Sequence, residues 1–331
     1  MDELKFDKNR FRIKECPCGK SNKDGKFVPY IGYDNKGYCH SCGDTFLPDL
    51  KPIEKNSFYK PVQQRTRPEQ KPISMIPFEV MKQSLDSVIH ARQMVRYSEL
   101  QAERISENKC KKNHFVSYLD SLFGPDITDV LREKYLIGTS NHWSGANTFW
   151  QMDIHGNVRT GKIFVYSPIT GKRIKEPTDM FYWEHKALNR PEFNFKQCFF
   201  GEHLLKGNVK PVAIVESEKS AVIASVYFPE YIWLGASGKF GLNAEKCNVL
   251  KMRKVLLLPD LSKPDDKDNA FELWTNKAKE YSHITNFVVS DLLEVNASEE
   301  ERIQGLDIAD YLIKKSFNDF SKIESKPLIQ N

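Results

Sequence analysis

Short apolar runs alternate with helix-forming segments in the carboxyl-terminal half of the chain, and two of these runs lead into an acidic residue. Residues 211–215 precede Glu216, and residues 254–259 precede Asp260. Aliphatic runs of this length predict buried strands. Strands that alternate with helices form a mainly parallel sheet with right-handed crossovers. We therefore expect an α/β domain in which successive strands end at the same edge of the sheet.

The same pattern continues along the chain after Glu216. The further predicted elements are a helix over 218–227, a strand over 231–234, a helix over 271–281 and a strand over 284–289. The later segment Gly-Leu-Asp-Ile-Ala-Asp-Tyr-Leu then adds Asp307 and Asp310. Because open α/β sheets bind ligands at the carboxyl ends of their strands, we expect Glu216, Asp260 and Asp307 to converge there.

Carboxylates at such an edge have two interpretations. As functional groups they are candidate ligands for magnesium, which prefers oxygen donors. As structural groups, Glu216 and Glu218 are the acidic first turn of an ordinary helix and complement its dipole. The strand pattern alone leaves both interpretations open.

The first fifty residues contain two closely spaced cysteine pairs, and each pair is followed by glycine. The pairs are Cys16 with Cys18 and Cys39 with Cys42. Zinc binds four soft ligands in a tetrahedron, and a tight turn lets two thiolates of one pair reach the same ion. Reduced cysteines cluster in this way for a metal or a redox reason. We predict a structural zinc site with these four cysteines as ligands.

The segments around the cysteine pairs predict two strands. Residues 26–33 alternate between apolar and polar side chains, and Gly37 and Tyr38 precede the second pair. Two such strands with two cysteine turns are the layout of a zinc ribbon. The first pair is one residue shorter than usual, so His40 is an alternative ligand.

Composition narrows the class of protein. The chain has 331 residues, a net charge of +5 and seven cysteines, and it begins without an apolar signal segment. An odd cysteine count without a signal segment argues against a secreted disulfide framework. No apolar run approaches the roughly 18 residues needed to cross a bilayer. We expect a cytoplasmic protein with no membrane partner.

Residues 51–77 are rich in proline, glutamine, lysine and arginine, which predicts a linker. The linker is either a basic arm that neutralises phosphates or a solvated tether. Residues 78–135 show helical spacing of apolar side chains, and from 136 the pattern changes to short strands and turns. We expect helices that pack, followed by a small antiparallel sheet.

Cations are interleaved with aromatic residues in this antiparallel segment. The cations are Arg159, Lys162, Lys172, Arg173 and Lys175, and the aromatic residues are Trp143, Phe149, Trp150 and Tyr166. Single-stranded nucleic acid suits such a surface, because phosphates bind the cations and bases stack on the rings. The alternative is a half-buried sheet with a solvated cationic face.

The motifs together resemble a known family. A glutamate at the end of one strand, an aspartate at the end of a later strand and a final Gly-x-Asp-x-x-Asp-x-Leu are similar to the toprim domain of primases, topoisomerases and related nucleases. A zinc ribbon before a basic mixed segment and a toprim domain resembles phage and bacterial primases, specifically the primase-like proteins of mobile elements. The predicted division is a zinc ribbon (1–50), a basic linker (51–77), a helical segment (78–135), an antiparallel basic subdomain (136–205), a toprim-like domain (206–315) and a tail (316–331).

The resemblance implies an overall α+β chain with a catalytic acidic edge. Glu216 and Asp260 would share a magnesium or manganese ion, and Asp307 and Asp310 would complete the edge. Glu216 would also accept or donate protons at the transferred oxygen. The basic residues Arg159 and Lys162 match those that a primase places near template or nucleotide phosphates.

Two positions depart from the family pattern. Members usually have an acid four residues after the glutamate, where this chain has Ser220, and Asp-x-Asp on the later strand, where it has Asp260-Leu261-Ser262. Two-metal chemistry needs several carboxylates, so these losses weaken at least one ion. Nearby acids that would compensate are Glu218, Asp265, Asp266 and Asp268, although residues 263–269 are also typical of a solvated turn.

The preferred hypothesis is a primase-like protein that binds single-stranded DNA and nucleotides and makes RNA primers for a mobile element. No helicase phosphate loop is present, so a helicase would be a separate partner. The second hypothesis is a non-catalytic nucleic-acid-binding module with a degenerate toprim site. The third is a toprim nuclease, which the zinc ribbon and the lack of an ATPase domain disfavour.

Overall fold

The computed structural model describes residues 4–48, 71–101 and 113–315, and it divides into two units, Met1–Glu69 and Gln70–Asn331. The first unit contains a three-stranded antiparallel sheet with the order β1-β2-β3. Its strands are β1 (Phe27–Pro29), β2 (Gly37–Cys39) and β3 (Thr45–Phe46), and a short 3-10 helix spans Arg10–Arg12. Most of the predicted linker and the whole predicted tail lie outside the described residues.

A buried asparagine organises the first unit, which is too small for a large apolar core. The Asn22 amide nitrogen donates to the carbonyl oxygens of Arg10 at 2.8 Å and Ile13 at 2.9 Å, and its side-chain oxygen accepts from Phe27 N at 2.6 Å. Gly37 is required where β2 crosses β1, because a Cβ there would lie 2.2 Å from the Val28 carbonyl oxygen. These contacts fix the loop that carries the first cysteine pair.

The second unit begins with helices and an antiparallel sheet, as predicted, and the sheet has four strands. The helices are α1 (Phe78–Gln101), α2 (His114–Phe123) and α3 (Pro125–Lys134). The sheet has the order β4-β5-β6-β7, and its strands are β4 (Ile137–Thr139), β5 (Asn147–Met152), β6 (Val158–Phe164) and β7 (Phe181–Trp183). The short helix α4 (Glu184–Ala187) follows β7. Strand β7 was not predicted, because its three residues follow an irregular loop and show no alternation.

The rest of the second unit is built on a four-stranded parallel sheet, which confirms the predicted α/β class. Its order is β11-β10-β8-β9, with strands β8 (Val212–Val215), β9 (Ile232–Gly235), β10 (Val255–Leu258) and β11 (Phe287–Val289). Its helices are α5 (Glu218–Tyr227), α6 (Ala244–Cys247), α7 (Ala270–Glu280), α8 (Leu292–Asn296), α9 (Glu299–Gln304) and α10 (Ile308–Leu312).

Both faces of the parallel sheet are buried, as the continuous apolar runs require. Ala213 and Val215 face a core that also contains residues of α2, α5 and α10, whereas Val212 and Ile214 face a second core that includes Trp274 of α7. Phe149 of the antiparallel sheet belongs to the first core. The two sheets therefore pack on a common core. Among the described residues, no helix has both the length and the apolar character that a membrane span needs.

Candidate metal and nucleic-acid sites

The four cysteines of the first unit come together. Their sulfur atoms all lie within 4.8 Å of one another, and the Cys18 and Cys39 Sγ atoms are 3.9 Å apart. Each pair is held by a tight turn: Gly19 N donates to the Cys16 carbonyl oxygen, and Gly43 N donates to that of Cys39, both at 2.8 Å. Both glycines have positive φ, +82° and +80°, which glycine adopts without strain.

This geometry fits a zinc ion. Four sulfurs at the usual Zn–S distance of 2.3 Å lie about 3.8 Å from one another in a tetrahedron, close to the separation of Cys18 and Cys39. Burial opposes ionisation of Cys39, but hydrogen bonds from the Cys16 thiol and from the amides of Cys42 and Ser41 outweigh it and lower its pKa to about 7. A thiolate is the form that binds metal.

His40 does not belong to this ligand set. Its side chain is exposed, and its ring lies edge-on to the ring of Tyr38 at 4.8 Å. Over the described residues, the four cysteines are the one group of three or more Cys, His, Asp or Glu whose ligand atoms all lie within 4.8 Å of one another. The structure thus favours the cysteine pairs without a histidine substitute.

The second unit has an acidic cavity of about 340 Å³ at the carboxyl ends of β8 and β10. Glu216 directly follows β8, and Asp260 lies two residues beyond the end of β10. The two strands are hydrogen-bonded neighbours, so the acids meet, and Asp260 N donates to Glu216 Oε1 at 3.2 Å. Both side chains line the cavity together with Asp307. The three carboxylates that were predicted to converge at one edge of the sheet therefore line the same cavity.

The two strand-end acids resist ionisation. Burial raises the pKa of Glu216 to about 7, and the charge of Asp307 adds to the rise. Burial also raises the pKa of Asp260 well above its usual value, and the charges of Glu216 and Asp307 contribute. Asp260 Oδ1 is buried and has no hydrogen-bond partner among the described residues. A buried oxygen without a partner beside a second carboxylate fits a magnesium or manganese ion, which takes oxygen ligands.

Asp307 and Asp310 are engaged by the protein. They form a reciprocal capping box at the start of α10, in which Asp307 Oδ1 accepts from Asp310 N at 2.9 Å and Asp310 Oδ2 accepts from Asp307 N at 3.0 Å. The ammonium of Lys219 lies 3.4 Å from Asp307 Oδ2 and 3.5 Å from Asp310 Oδ1. Asp310 is not among the residues that line the cavity. Lys219 therefore supplies positive charge where the resemblance implies carboxylates around a metal ion.

The two serines that replace family acids both have structural partners. Ser220 Oγ donates to Asp307 Oδ2 at 2.7 Å, and Ser262 Oγ accepts from Ala270 N at 2.7 Å, at the start of α7. The possible substitutes Asp265, Asp266 and Asp268 are exposed and do not line the cavity. Residues 263–268 are thus a solvated turn, and compensation by these three acids is not seen.

The cations predicted to bind nucleic acid separate into two groups. Lys162 and Arg173 line the acidic cavity, and Lys175 accompanies them. Lys162 is buried, and its Nζ lies 3.0 Å from Glu218 Oε1. Arg173 lies 3.0 Å from Asp179 Oδ2. Strand β6 and the loop between β6 and β7 thus contribute cations to the cavity that the strand-end acids line.

Arg159 and Lys172 do not line the cavity. Arg159 Nε donates to the buried carboxylate of Asp153 at 2.8 Å, an ion pair within the β5–β6 turn, and Lys172 is exposed on the loop before β7. The rings of Phe149 and Trp150 are fully buried, so they cannot stack with bases. Both rings lie on β5, a strand that is buried on both faces, so they belong to the core and not to a binding surface.

Sequence reasoning missed the roles of Lys219 and of the pair between Lys162 and Glu218. Lys219 lies in the first turn of α5, between Glu218, an acid, and Ser220, which stands where the family pattern has an acid. From the sequence, only these two neighbours were considered. The position itself was the available signal, because the first turn after a strand-end acid must face the same edge. The partner of Lys162 lies on another element and could not be read from spacing.

One family model matches part of the chain. The domain of unknown function DUF6371 matches residues 113–261, less than half of the chain. No curated protein matches the sequence.

The solved structures most similar to the chain include three DNA primases. The primase fragment of the bacteriophage T7 primase-helicase is 13% identical with a TM-score of 0.32, over 88% of this chain and 97% of that one. The zinc-binding and RNA polymerase domains of Aquifex aeolicus primase are 10% identical with a TM-score of 0.37, over 72% and 68%. The DnaG catalytic core is 14% identical with a TM-score of 0.36, over 74% and 77%. At these scores, the function has to be inferred from the side chains of this chain.

Proposed function

We propose that this chain is a primase-like protein that binds single-stranded DNA and performs divalent-metal-dependent nucleotidyl transfer. The observation that carries the proposal is the pairing of Glu216 with Asp260 at adjacent strand ends, where one buried carboxylate oxygen lacks a partner. Cations of strand β6 and of the loop between β6 and β7 line the same cavity. A divalent cation offsets carboxylate charge, and lysine and arginine bind phosphates.

Each residue has a defined role in this proposal. Glu216 and Asp260 would hold magnesium or manganese, which supplies charge stabilisation for a transferring phosphoryl group when bound. Arg173 and Lys175 bind the phosphates of the nucleotide or template. In the transfer step, the 3′ hydroxyl oxygen bonds to the α-phosphorus and the bond to pyrophosphate breaks. Glu216 accepts the hydroxyl proton.

The first unit has a structural role in the proposal. The four cysteines bind zinc as a zinc ribbon, and the parallel sheet is of toprim type. A helicase that opens the duplex is a further proposed partner. The order of these parts, by its resemblance to mobile-element primases, suggests replication of such an element.

A primer-synthesis assay tests the proposal. The zinc-loaded full chain is incubated with a single-stranded template, labelled nucleotides and magnesium or manganese, beside Glu216→Gln and Asp260→Asn. We expect synthesis that both variants reduce by about a hundredfold or more, equivalent to about 2.7 kcal/mol of barrier. Asp265→Asn, which changes an exposed acid outside the cavity, is the control and should retain synthesis. Absence of synthesis with either metal would reject the enzyme.

One observation favours a second candidate, a non-catalytic nucleic-acid-binding module. Lys219 already neutralises Asp307 and Asp310, Ser220 donates to the same Asp307 oxygen that faces Lys219, and the other Asp307 oxygen accepts from Asp310 N. A site closed in this way binds phosphates without chemistry. Salt-sensitive binding of single strands without any primer synthesis would support this module.

A further inference from the structure

A second cavity adjoins the acidic one. It has a volume of about 440 Å³, and Ser237 and Gly238 line both cavities. Two aromatic side chains contribute to its wall, and they are more exposed than phenylalanine in a core: Phe240 is 66% and Phe195 is 36% exposed. Exposed rings at the wall of a cavity offer an apolar face to a flat ligand.

A buried lysine in the same wall lacks a carboxylate partner. Lys246 is 8% exposed, and its ammonium donates to the Ala236 carbonyl oxygen at 3.0 Å and to Gln197 Oε1 at 3.4 Å. No acid of the described chain forms an ion pair with it, whereas Lys196 and Lys239 of the same wall each pair with an acid. An ammonium has three protons to donate; two have these acceptors, and the only other contact of the group among the described residues is the Phe199 ring, whose centre lies 5.6 Å away. Burial lowers the Lys246 pKa to about 8, which an anion in the cavity would reverse.

Hydrogen-bonded side chains connect the two cavities. Gln151 Nε2 donates to Ser237 Oγ at 2.9 Å, and Ser237 Oγ donates to Glu218 Oε1 at 2.8 Å. Glu218 in turn pairs with Lys162 in the acidic cavity. The shared wall is therefore fixed by buried polar contacts, which hold the two cavities side by side.

We propose that this second cavity binds one nucleotide unit, with its base against Phe240 and its phosphate on Lys246. An aromatic face suits any base, and an ammonium without an acidic partner suits a phosphate. The assignment of the ligand as a nucleotide rests on the proposed function of the neighbouring cavity. Its consequence is that two nucleotide units lie next to each other, one at the acids and one at Lys246.

Equilibrium binding of fluorescently labelled ATP to the full chain tests the inference. The titration is done with magnesium and in magnesium-free buffer without chelator, so that the cysteine cluster keeps its metal. We expect two nucleotides per chain with magnesium and one without. Lys246→Met should weaken the magnesium-independent site by about tenfold or more, since hydrogen bonds to charged groups contribute about 1.5–3 kcal/mol. The exposed Lys251→Met is the matched control and should leave both sites unchanged.

A second variant keeps the test valid if Lys246→Met, which changes a buried residue, fails to fold. Phe240→Ala removes an exposed ring and should weaken the same site by about five- to a hundredfold, as stacking contributes about 1–3 kcal/mol per base. Val209→Ala, at a side chain 97% exposed, is its control. Absence of binding without magnesium, or equal affinity in wild type and Phe240→Ala, would overturn the inference.

The outcomes separate this inference from the proposed function. If Asp260→Asn retains magnesium-dependent binding while Lys246→Met removes the other site, the proposed role of the acids fails and the second site stands. If Asp260→Asn loses one nucleotide site and Lys246→Met loses none, the proposed role of the acids stands and the second site is rejected. Competition by a short oligothymidylate, compared with competition by unlabelled ATP, shows whether the nucleotide unit comes from a strand or from free nucleotide.

Discussion

The cysteine cluster of the first unit and the acidic cavity of the second unit both gather metal-binding side chains, but they differ in completeness. The cluster brings four sulfur atoms within 4.8 Å of one another. In the cavity, Glu216 and Asp260 meet, while Asp307 is bound by Lys219 and Ser220. A closed set of protein ligands is typical of a structural metal, whereas an open set leaves positions for substrate. By this comparison, a metal ion at the cysteines would be structural, whereas a metal ion at the acids would need further ligands, such as the phosphate oxygens of a substrate.

Removing the cysteine ligands should have the largest effect. In Cys39→Ser combined with Cys42→Ser, we expect bound zinc to fall from about one ion per chain to none and the first unit to unfold. Structural zinc contributes about 10–16 kcal/mol in small zinc domains, far more than this unit's small core supplies. Metal analysis and amide protection of the first unit are the measurements. Ser41→Ala, an exposed position between the two ligands, is the control; zinc retained in the double variant would refute a closed cysteine site.

The pH dependence of stability should identify the strained acids. Because the Glu216 pKa is raised to about 7 in the folded chain, this residue favours folding when protonated, and its contribution is lost as pH rises from about 4.5 to 7. The second unit of the magnesium-free protein should thus lose up to about 3 kcal/mol from Glu216 over this range, at about 1.4 kcal/mol per pKa unit.

Tryptophan fluorescence during denaturation measures this effect in the second unit alone, because all five tryptophans lie between residues 143 and 274. Glu216→Gln should flatten the pH dependence, and magnesium at pH 7 should stabilise the wild type more than this variant. An unchanged slope in Glu216→Gln would show that the acid is not strained.

Removing the lysine at the acidic edge should destabilise the second unit by about 3 kcal/mol. Lys219→Met leaves Asp307 and Asp310 without their cation, and breaking a buried ion pair costs about 3–5 kcal/mol. Magnesium should restore part of this loss if the freed carboxylates bind it. Denaturant unfolding of Lys219→Met beside the exposed Lys251→Met provides the test. Equal stability of the two variants would mean that Asp307 and Asp310 do not need the charge of Lys219 for the unit to be stable.

The smallest effects concern the cations of the antiparallel sheet. Arg173→Ala should reduce the slope of log affinity against log salt for single-stranded DNA by about one, because it removes one phosphate contact. Arg159→Ala should leave that slope unchanged and lower stability instead, since Arg159 pairs with the buried Asp153. Fluorescence anisotropy over a salt series distinguishes the two. Equal slopes for the two variants would mean that the single-stranded DNA does not contact Arg173.

The sequence predicted most of the parallel sheet, because buried strands must be continuous apolar runs. It also predicted the meeting of Glu216 and Asp260, since parallel neighbours end at one edge. It did not reveal that Lys219 reaches Asp307, because residues 88 positions apart are joined only by the packing of α10 on α5. Nor did it separate Arg159 from Lys162. Both residues lie on strand β6, but Arg159 pairs with Asp153 and Lys162 pairs with Glu218. Neither ion pair can be predicted from the spacing of the residues in the sequence.

Manganese binding to the zinc-loaded full chain tests the acidic site most directly. Free manganese is followed by electron paramagnetic resonance during titration of the wild type, Asp260→Asn and the control Asp265→Asn. Glu216 and the unpartnered oxygen of Asp260 predict one manganese site, weakened about tenfold or more in Asp260→Asn and unchanged in Asp265→Asn. Equal manganese binding by the wild type and Asp260→Asn, or none by either, would contradict a metal site at these strand ends.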